Sequence, residues 1–478
     1  MSVLENIEPR KVFYYFEELC QIPHGSRNTK QISDYCVQFA KDRGLTWYQD
    51  ASNNVIIIKE AAKGYENADA VILQGHLDMV CEKEPDSLID MEKDGLILQT
   101  DGDKIYAKGT TLGGDDGIAI AMSLAIMDSD IPHPRLEAVF TVDEEIGMLG
   151  AGSIDISPLQ GKRMLNIDSE EEGVFTVSCA GGNVTECILP LSQIIYSGIA
   201  YEIKVDGLQG GHSGIEINKG RGNANVIMGR LLQELNLSCG IQILSVNGGL
   251  KDNAIPRDAM AVITVEKEEI EQTINAFQEK IQNEFRTTDA EVHFTLRSIQ
   301  INKQKVCDNN TTQKIIFMLT CLPNGIQGMS ADIKGLVETS LNMGIVTTTK
   351  TILKISFCVR SSVASLKEML TRRLKETMNQ IGGTVNISGD YSAWEYRKDS
   401  PLRDLMIEVF KDQYGKEPKI EAVHAGVECG IFAGKIPELD CVSFGPDLTQ
   451  IHTVRESMSI SSVQRVYQFI LEILKRMK

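Results

Sequence analysis

Three short apolar segments in the first part of the chain each lead directly into ionisable side chains. The segments, each with the first ionisable residue that follows, are AVILQ at 70–74 with His76, EAVFT at 137–141 with Asp143, and RMLNI at 163–167 with Asp168. Continuous apolar runs of this length are typical of strands that are buried on both faces of a parallel sheet. Side chains at the carboxyl ends of such strands gather at one edge of the sheet. The sequence therefore predicts an α/β sheet with a charged site along that edge.

The order of helical and strand-like segments predicts two kinds of domain. Apolar residues at helical spacing predict helical structure over 9–44, and AIAMSLAIM at 119–127 predicts an apolar helix. Further along, strands and helices follow a different order, which recurs loosely within the same region. We therefore predict an α/β domain with a mostly parallel central sheet, formed by 1–185 and 389–478, and an inserted α+β domain with two related lobes at 186–388.

Charge and composition argue against several classes of protein. The net charge of −18 argues against a nucleic-acid partner, whose phosphates would repel the chain. No apolar run approaches the roughly 18–20 residues that span a bilayer, and the first residues lack the layout of a signal peptide. The eleven cysteines are scattered without a CxxC pair, which is typical of reduced thiols in a cytoplasmic protein rather than of a zinc site made of cysteines.

Four short motifs combine histidine with carboxylates. They are GHLD at 75–78, GGDDG at 113–117, DEEIG at 143–147 and IHT at 451–453. A pair of divalent metal ions that activates water needs imidazole and carboxylate ligands, a carboxylate that bridges the ions, and a free carboxylate that handles the proton. The motifs contain each of these groups, so they predict a two-metal site.

His76 and Asp78 are the first candidates for this site. A single histidine after a buried strand is more often a structural residue than a ligand. Asp78 changes this interpretation, because residues two apart in an extended segment point the same way. Its carboxylate can then accept a hydrogen bond from one imidazole nitrogen of His76 and leave the other nitrogen to the metal.

The remaining carboxylates divide the bridging and proton-transfer roles. Asp115 and Asp116 lie in a glycine-rich loop, where Asp116 alone would be a helix-capping residue and Asp115 is the better candidate for the bridging ligand. Of Glu144 and Glu145, one is assigned to the metal and the other to proton transfer. The set is completed by two residues that also follow strands, Asp168 and His452.

Three residues of the predicted insertion suit a substrate. His212, in GGHSG, can polarise a reacting carbonyl, although a loop histidine without such a role is the simpler interpretation. Arg360 follows the apolar strand ILKISFCV, where a guanidinium can bind a carboxylate through two hydrogen bonds. Asn253 lies in the same region, and both Asn253 and Arg360 can equally well satisfy local hydrogen bonds.

Taken together, the motifs resemble those of a known family. GHLDMV, GGDDG, DEEIGMLGA, NIDSEEEG and IHTVRE, in this order, resemble the M20 family of metallopeptidases with two co-catalytic metal ions, and among its members the aminoacyl-histidine dipeptidases. The resemblance covers nearly the whole chain, the insertion included. It implies a zinc-aminopeptidase-like catalytic domain at 1–185 and 389–478, with a two-lobed lid domain at 186–388.

The resemblance also implies roles for individual residues. It implies two divalent metal ions, zinc or alternatively cobalt or manganese, with Asp115 as the bridging ligand and a cis peptide bond between Asp115 and Asp116. Glu144 is then the general base, Asp78 the catalytic aspartate, and His212 the residue that stabilises the oxyanion. The implied metal ligands are His76, Asp115, Glu145, Asp168 and His452, and the implied ligands of the substrate carboxylate are Asn253 and Arg360.

The activity that the resemblance implies is the hydrolysis of unblocked dipeptides in the cytoplasm, Xaa-His and carnosine-like substrates included. Two alternatives stay open: an N-acyl amino acid deacylase with the same metal set, and a non-catalytic metal-dependent binding protein. A binding protein needs ligands but no base, so Asp78 and Glu144 argue against it. Simpler family members take one lid residue from a partner subunit. A doubled lid can supply that residue within one chain, so a homodimer is compatible with the mechanism but not required by it.

Overall fold

The chain is built from two compact units, and two segments of the second interrupt the first. The computed structural model describes residues 3–266 and 269–478. The first unit consists of the segment up to residue 179 with 396–422 and 427–478, and the second of 180–395 with 423–426. The domain limits that the sequence predicts, at 185/186 and 388/389, stay predictions.

Helices and strands alternate in the first unit, whereas long strands dominate the second. The α-helices are α1 (Arg10–Cys20), α2 (Lys30–Asp42), α3 (Gly114–Met127), α4 (Leu149–Ser153), α5 (Ala224–Cys239), α6 (Ile270–Glu284), α7 (Asn309–Cys321), α8 (Ala364–Gln380), α9 (Pro401–Tyr414), α10 (Glu428–Lys435) and α11 (Ile460–Arg476), with a 3₁₀ turn at Ile217–Lys219. The strands are β1 (Thr46–Gln49), β2 (Val55–Lys59), β3 (Val71–His76), β4 (Leu98–Asp101), β5 (Lys104–Ala107), β6 (Leu136–Thr141), β7 (Arg163–Asn166), β8 (Val174–Cys179), β9 (Gly181–Pro190), β10 (Gln193–Asp206), β11 (Gly211–His212), β12 (Ile241–Gly248), β13 (Ala254–Ile255), β14 (Ala259–Val265), β15 (His293–Cys307), β16 (Gly325–Met329), β17 (Val337–Thr348), β18 (Ile352–Ser361), β19 (Thr384–Tyr391), β20 (Lys419–Val423), β21 (Asp440–Ser443), β22 (Leu448–Thr449) and β23 (Ser457–Ser459).

The central sheet of the first unit has parallel strands in its middle and antiparallel pairs around them. Its strand order is β1-β2-β6-β3-β7-β21-β8-β20. The pairs β6/β3, β3/β7 and β7/β21 are parallel, and β1/β2, β2/β6 and β21/β8 are antiparallel. Strands β3 and β6 are buried along their whole length, as expected of central strands that are covered on both faces. The α/β class is therefore confirmed, with a sheet that is mixed as a whole.

The segment 9–44, which is predicted to be helical, consists of two helices with a break between them. The chain forms α1, which ends at Cys20, and α2, which begins at Lys30. Pro23 lies between them, and proline interrupts a helix because it lacks an N–H group and clashes with the preceding turn. The segment between the two helices instead forms a parallel β-bridge from Gly25 to Met79.

The second unit is built on one antiparallel sheet with two halves. The strand order is β15-β10-β14-β12-β17-β18-β9-β19, and β16 pairs with β17. At the middle, β12 and β17 share the single register pair Gly248 and Val346. Helix α5 packs on β10, β12 and β14 and also contacts β17 at the middle of the sheet, whereas α8 packs on β9, β18 and β19. Each half of the sheet thus carries its own helix, in agreement with the predicted two-lobed α+β insertion.

Two further predictions concern membranes and thiols. Within residues 3–266 and 269–478, no helix combines the length and the apolar character that crossing a membrane requires. The most apolar helix, α3, has 14 residues and is buried in the first unit. Each of the eleven cysteines is a free thiol.

Candidate metal centre

The three strands that precede the charged motifs end at the same edge of the central sheet. Strand β3 ends at His76, which pairs in register with Thr141, the last residue of β6. On its other side, β3 pairs with β7 through Gln74 and Asn166, two residues before Asp168. The carboxyl ends of these strands are therefore aligned, and the charged groups that follow them share one edge, as the sequence predicts.

Asp115 lies in the turn that starts α3. Gly113 has a φ of +67°, and Asp115 is not helical, with φ −83° and ψ 104°. The peptide bond between Asp115 and Asp116 is cis, as the resemblance implies. The Asp116 carboxylate accepts a hydrogen bond from the backbone N–H of His76 at 3.1 Å, so it connects two motifs rather than capping the helix. Gly75 permits this approach, since a Cβ atom there would lie 2.5 Å from Oδ2 of Asp116.

Two groups of three side chains meet at Asp115. His76, Asp115 and Asp168 form the first group, and Asp115, Glu145 and His452 form the second; within each group the ligand atoms lie within 4.8 Å of one another. Nε2 of His76 is 3.1 Å from Oδ1 of Asp115 and 3.6 Å from Oδ1 of Asp168. Nε2 of His452 is 3.1 Å from Oδ2 of Asp115 and 3.0 Å from Oε1 of Glu145. The five predicted ligands thus lie together, and Asp115 presents one oxygen to each group.

The hydrogen bonding of His76 shows that the first group suits a cation. Its Nδ1 donates to the backbone carbonyl of Asp78 at 2.8 Å, so in the neutral ring Nε2 carries a lone pair. That lone pair faces carboxylate oxygens of Asp115 and Asp168, which are also acceptors. A cation between these atoms replaces the repulsion with attraction, as in carboxylate- and histidine-ligated metal sites.

The pKa values of His76 and His452 also indicate that the surrounding carboxylates favour positive charge at this site. Burial alone would lower the pKa of His76, but Asp115 and Asp168 raise that pKa well above its ordinary value. Asp115 and Glu145 raise the pKa of His452 to about 10. Although burial opposes it, His452 and His76 hold the pKa of Asp115 below its ordinary value. The carboxylates therefore favour positive charge at both imidazoles, and two coordinated cations would supply it.

Asp78 differs in one detail from the geometry that the sequence predicts. Its Oδ1 is 3.7 Å from Nδ1 of His76, so the backbone carbonyl of Asp78, and not its carboxylate, accepts from the imidazole. The carboxylate accepts instead from the backbone N–H groups of Glu144 at 2.9 Å and Glu145 at 3.3 Å, and from Ser26 Oγ at 2.8 Å. The Asp78 carboxylate therefore accepts three hydrogen bonds from these groups, and not the predicted one from the His76 imidazole. Asp78 therefore holds the loop that carries both glutamates.

Glu144 lies beside the metal donors without belonging to them. Among the residues that the structure describes, neither donor group includes it. Burial raises the pKa of Glu144 to about 9, and the nearby carboxylate of Asp168 adds to this rise. Cations in the two donor groups would lower this pKa again, because positive charge favours the ionised form. Glu144 would then be a carboxylate that can accept a proton.

In the second unit, the backbone fixes the tautomer of His212. Its Nδ1 accepts hydrogen bonds from the N–H groups of Gly214 and Ile215, both at 3.2 Å. The proton of the neutral ring is therefore on Nε2. Burial and the positive charge of Arg360 lower the pKa of His212. The ring is thus neutral at physiological pH, with Nε2–H as a hydrogen-bond donor.

Arg360 and Asn253 lie in the same unit as His212. Arg360 is 7% exposed and donates to the hydroxyl of Tyr391 at 2.9 Å, whereas its Nε has no hydrogen-bond partner among the described residues. The backbone carbonyl of Asn253 accepts from the N–H of Ser213 at 2.9 Å, so the backbone holds it beside His212, and its side chain is exposed. Both residues therefore retain polar groups that can bind a small anion.

These motifs have a counterpart in a known family. Residues 72–476 match the sequence profile of peptidase family M20/M25/M40. The chain belongs to this family. The match spans every candidate residue from His76 to His452, and it confirms the resemblance that the motifs show.

The chain is similar in sequence and structure to three other proteins. The cytosol non-specific dipeptidase of Escherichia coli (strain K12) is 36% identical, over 99% of each chain. The crystal structure of aminoacylhistidine dipeptidase from Vibrio alginolyticus has a TM-score of 0.92 at 33% identity, and the likeness covers 99% of this chain and 97% of that one. The aminopeptidase PepT from Bacillus cereus, at 15% identity and a TM-score of 0.57, is similar over 98% of this chain and 99% of its own and shares the fold.

Glu456, which lies outside the predicted site residues, holds the loop that carries Asp115 in this M20 chain. Its carboxylate accepts hydrogen bonds from four consecutive backbone N–H groups, those of residues 112–115, at 2.8, 3.2, 2.8 and 3.4 Å. Glu456 is 3% exposed. The loop that presents Asp115 is therefore fixed by a carboxylate from the segment of His452. The signal in the sequence is a glutamate four residues after that histidine, in IHTVRE.

Glu428 is a second carboxylate without an assigned role. It is fully buried, and its Oε2 accepts from the hydroxyl of Thr141 at 2.6 Å and the amide of Gln74 at 2.5 Å. Burial raises the pKa of Glu428 to about 7. Its contacts connect β3 and β6 just before the GHLD and DEEIG motifs. The apolar flanks of HAGVECG are the only hint in the sequence that this carboxylate is buried.

Proposed function

We propose that this M20 peptidase hydrolyses the peptide bond of unblocked dipeptides with two divalent metal ions, Xaa-His and carnosine-like dipeptides included. The observation that carries the proposal is the pair of donor groups that share Asp115, with the uncoordinated Glu144 beside them. The names of two relatives support the substrate class. One is a non-specific dipeptidase, 36% identical to this chain, and the other is an aminoacylhistidine dipeptidase with a TM-score of 0.92.

Each donor group would hold one metal ion, with Asp115 common to both. Imidazole nitrogens and carboxylate oxygens suit zinc, and they also accept cobalt and manganese. When bound, such a pair polarises the scissile carbonyl and lowers the pKa of the attacking water. The proposed ligands are His76, Asp115 and Asp168 in one group, and Asp115, Glu145 and His452 in the other.

Glu144 is the proposed general base. It takes the proton from the water that attacks the carbonyl carbon and then gives that proton to the leaving amine. Asp78 supports this role, because its carboxylate accepts from the backbone N–H groups of Glu144 and Glu145. The two glutamates can therefore differ in task although they are adjacent in sequence.

Residues of the second unit are the proposed ligands of the substrate. The Nε2–H group of His212 donates to the oxyanion that develops when water adds to the carbonyl. Arg360 and Asn253 bind the free carboxylate at the C-terminus of the dipeptide, and this limits the substrate to short peptides.

The cytosol is the proposed location of this activity. The name of the 36% identical relative states that location for that protein. The free thiols of all eleven cysteines fit a reducing compartment.

A substrate panel on enzyme reconstituted with defined metals tests the proposed function. We expect a higher kcat/KM for dipeptides such as Ala-His and β-Ala-His than for N-acetyl and N-succinyl amino acids, because the latter lack the free amine of a dipeptide. Enzyme stripped by a chelator is the control and should be inactive until metal is restored. Faster cleavage of the N-acyl compounds would identify a deacylase. Stoichiometric metal without turnover of any compound would identify a binding protein.

Replacing Glu456 by glutamine should weaken metal binding about 10- to 100-fold, the usual cost when a residue that orients a ligand is lost. An amide can accept through one oxygen only, so part of the backbone N–H groups at 112–115 would lose their acceptor. Competition with a chromogenic zinc chelator measures the affinity. Glu376→Gln, the same chemical change at an exposed position of α8, is the matched control. An unchanged zinc affinity in Glu456→Gln would show that the loop keeps its shape without this carboxylate.

A further inference from the structure

A cavity of about 670 Å³ opens beside Glu145 in the first unit. Its volume lies within the range of small-molecule binding sites. Four separate segments line it: residues 25–28 between α1 and α2, residues 79–81 after β3, residues 91–93, and the turn at Glu145 and Ile146. Because Glu145 belongs to the second donor group, a molecule bound at the metal centre would have this cavity next to it.

The wall of the cavity combines apolar and sulfur-containing side chains with the charged residues Arg27, Glu92, Lys93 and Glu145. Met79, Val80, Cys81, Met91 and Ile146 all line it. Methionine side chains are unbranched and polarisable, so they adapt to groups of different shape. The apolar part of this wall suits apolar side chains of varied size rather than one particular ligand.

Hydrogen bonds and a β-bridge connect the segments that surround the cavity and fix its shape. Ser26 Oγ donates to the Asp78 carboxylate at 2.8 Å, and the Asn28 side-chain amide donates to the Glu92 carbonyl at 3.1 Å. Gly25 forms a β-bridge with Met79. A Cβ atom at Gly25 would lie 2.6 Å from the sulfur of Cys81, so glycine allows the segments to approach. The cavity is thus connected to Asp78, which positions Glu144 and Glu145.

We infer that this cavity receives the side chain of the N-terminal residue of the substrate, with a preference for large apolar groups. The inference rests on the proposed function and names its specificity site. The N-terminal residue carries the reacting carbonyl, so its side chain is one carbon away from the group held at the metals. The C-terminal residue is anchored, in the proposed function, by Arg360 of the second unit. The wall beside Glu145 is therefore assigned to the other half of the dipeptide.

Met91→Trp tests this assignment by filling the cavity. We expect kcat/KM to fall at least about 10-fold for Leu-Gly and Phe-Gly, and to stay within about two-fold for Gly-Gly, since one methylene in an apolar pocket already changes kcat/KM about 10- to 200-fold. The inverted dipeptides Gly-Leu and Gly-Phe should behave as Gly-Gly does. Met369→Trp, at an exposed position of α8, is the matched control. The second variant, Met91→Ala, should raise the ratio of kcat/KM for Trp-Gly over Ala-Gly.

The outcomes separate this inference from the proposed function. Equal losses for Leu-Gly and Gly-Leu, or losses confined to the Gly-Leu series, would overturn the assignment of the cavity. An unchanged Trp-Gly to Ala-Gly ratio in Met91→Ala would overturn it also, even if the tryptophan variant fails to fold. Wild-type enzyme that cleaves none of these dipeptides would overturn the proposed function itself, and the assignment of the cavity with it.

Discussion

Replacing Glu144 by glutamine should lower kcat by about 10²- to 10⁴-fold, the usual contribution of a general acid–base residue, and leave the metal content unchanged. Glutamine has nearly the size of glutamate but cannot accept the proton of the attacking water. Neither donor group among the described residues contains Glu144, so the ligands stay in place. Steady-state kinetics on a dipeptide, together with elemental analysis of the same sample, measures both quantities.

Two further variants sharpen the Glu144 experiment. Glu144→Asp keeps a carboxylate on a shorter side chain, so it should retain more activity than the glutamine variant. Glu171→Gln makes the same chemical change at an exposed residue of the acidic segment after Asp168 and should behave like wild type. Activity near the wild-type level in Glu144→Gln would refute the base assignment. A loss of metal in that variant would instead make Glu144 a ligand.

The position of the charged edge could be predicted because it depends on local sequence alone. A histidine or carboxylate directly after a buried apolar segment marks the carboxyl end of the strand. In a parallel sheet, the carboxyl ends of neighbouring strands lie at the same edge. His76, Asp168 and the Glu144–Glu145 pair were found in this way, and the register of β3 with β6 and β7 agrees. The roles of these residues in catalysis stay predictions.

The support of the site could not be predicted, because it depends on contacts across long sequence distances. Glu456 contacts a loop more than 340 residues earlier in the chain, and nothing in the spacing of IHTVRE indicates which N–H groups it meets. Glu428 likewise contacts Gln74 across 354 residues. Single-sequence patterns predict which face of an element is buried, but they do not identify the partner on the other side.

Competition between hydrogen-bond partners explains the error at Asp78. The two-residue spacing predicts correctly that Asp78 lies near His76, but it contains no information on the turn at 144–145. That turn offers two backbone N–H groups to the carboxylate, and the carbonyl of Asp78 is left to the imidazole. The break between α1 and α2 has a local signal instead: residues 21–29 are QIPHGSRNT, where the apolar periodicity stops and Pro23 cannot continue a helix.

Replacing Asp115 by alanine should remove most of the bound metal and abolish turnover. Asp115 gives one oxygen to each donor group, so its loss leaves two ligands in each instead of three. In wild type, metal at about 100 times its Kd should raise the free energy of unfolding by about 2.7 kcal/mol for each site, since metal binds the folded chain. Thermal unfolding with and without zinc measures this gain, which should be small or absent in Asp115→Ala.

Comparing Asp115→Ala with Glu144→Gln distinguishes the loss of a metal ligand from the loss of the general base. Both variants should be inactive, but only Asp115→Ala should lose the stabilisation by zinc, because only Asp115 is a ligand in the proposed site. Asp130→Ala, at an exposed position, controls for the removal of one negative charge and should keep the full zinc effect. Asp115→Ala with two bound metal ions and a normal zinc effect would refute the shared-ligand arrangement. The proposed mechanism would then lose the observation on which it rests, whatever the outcome at Glu144.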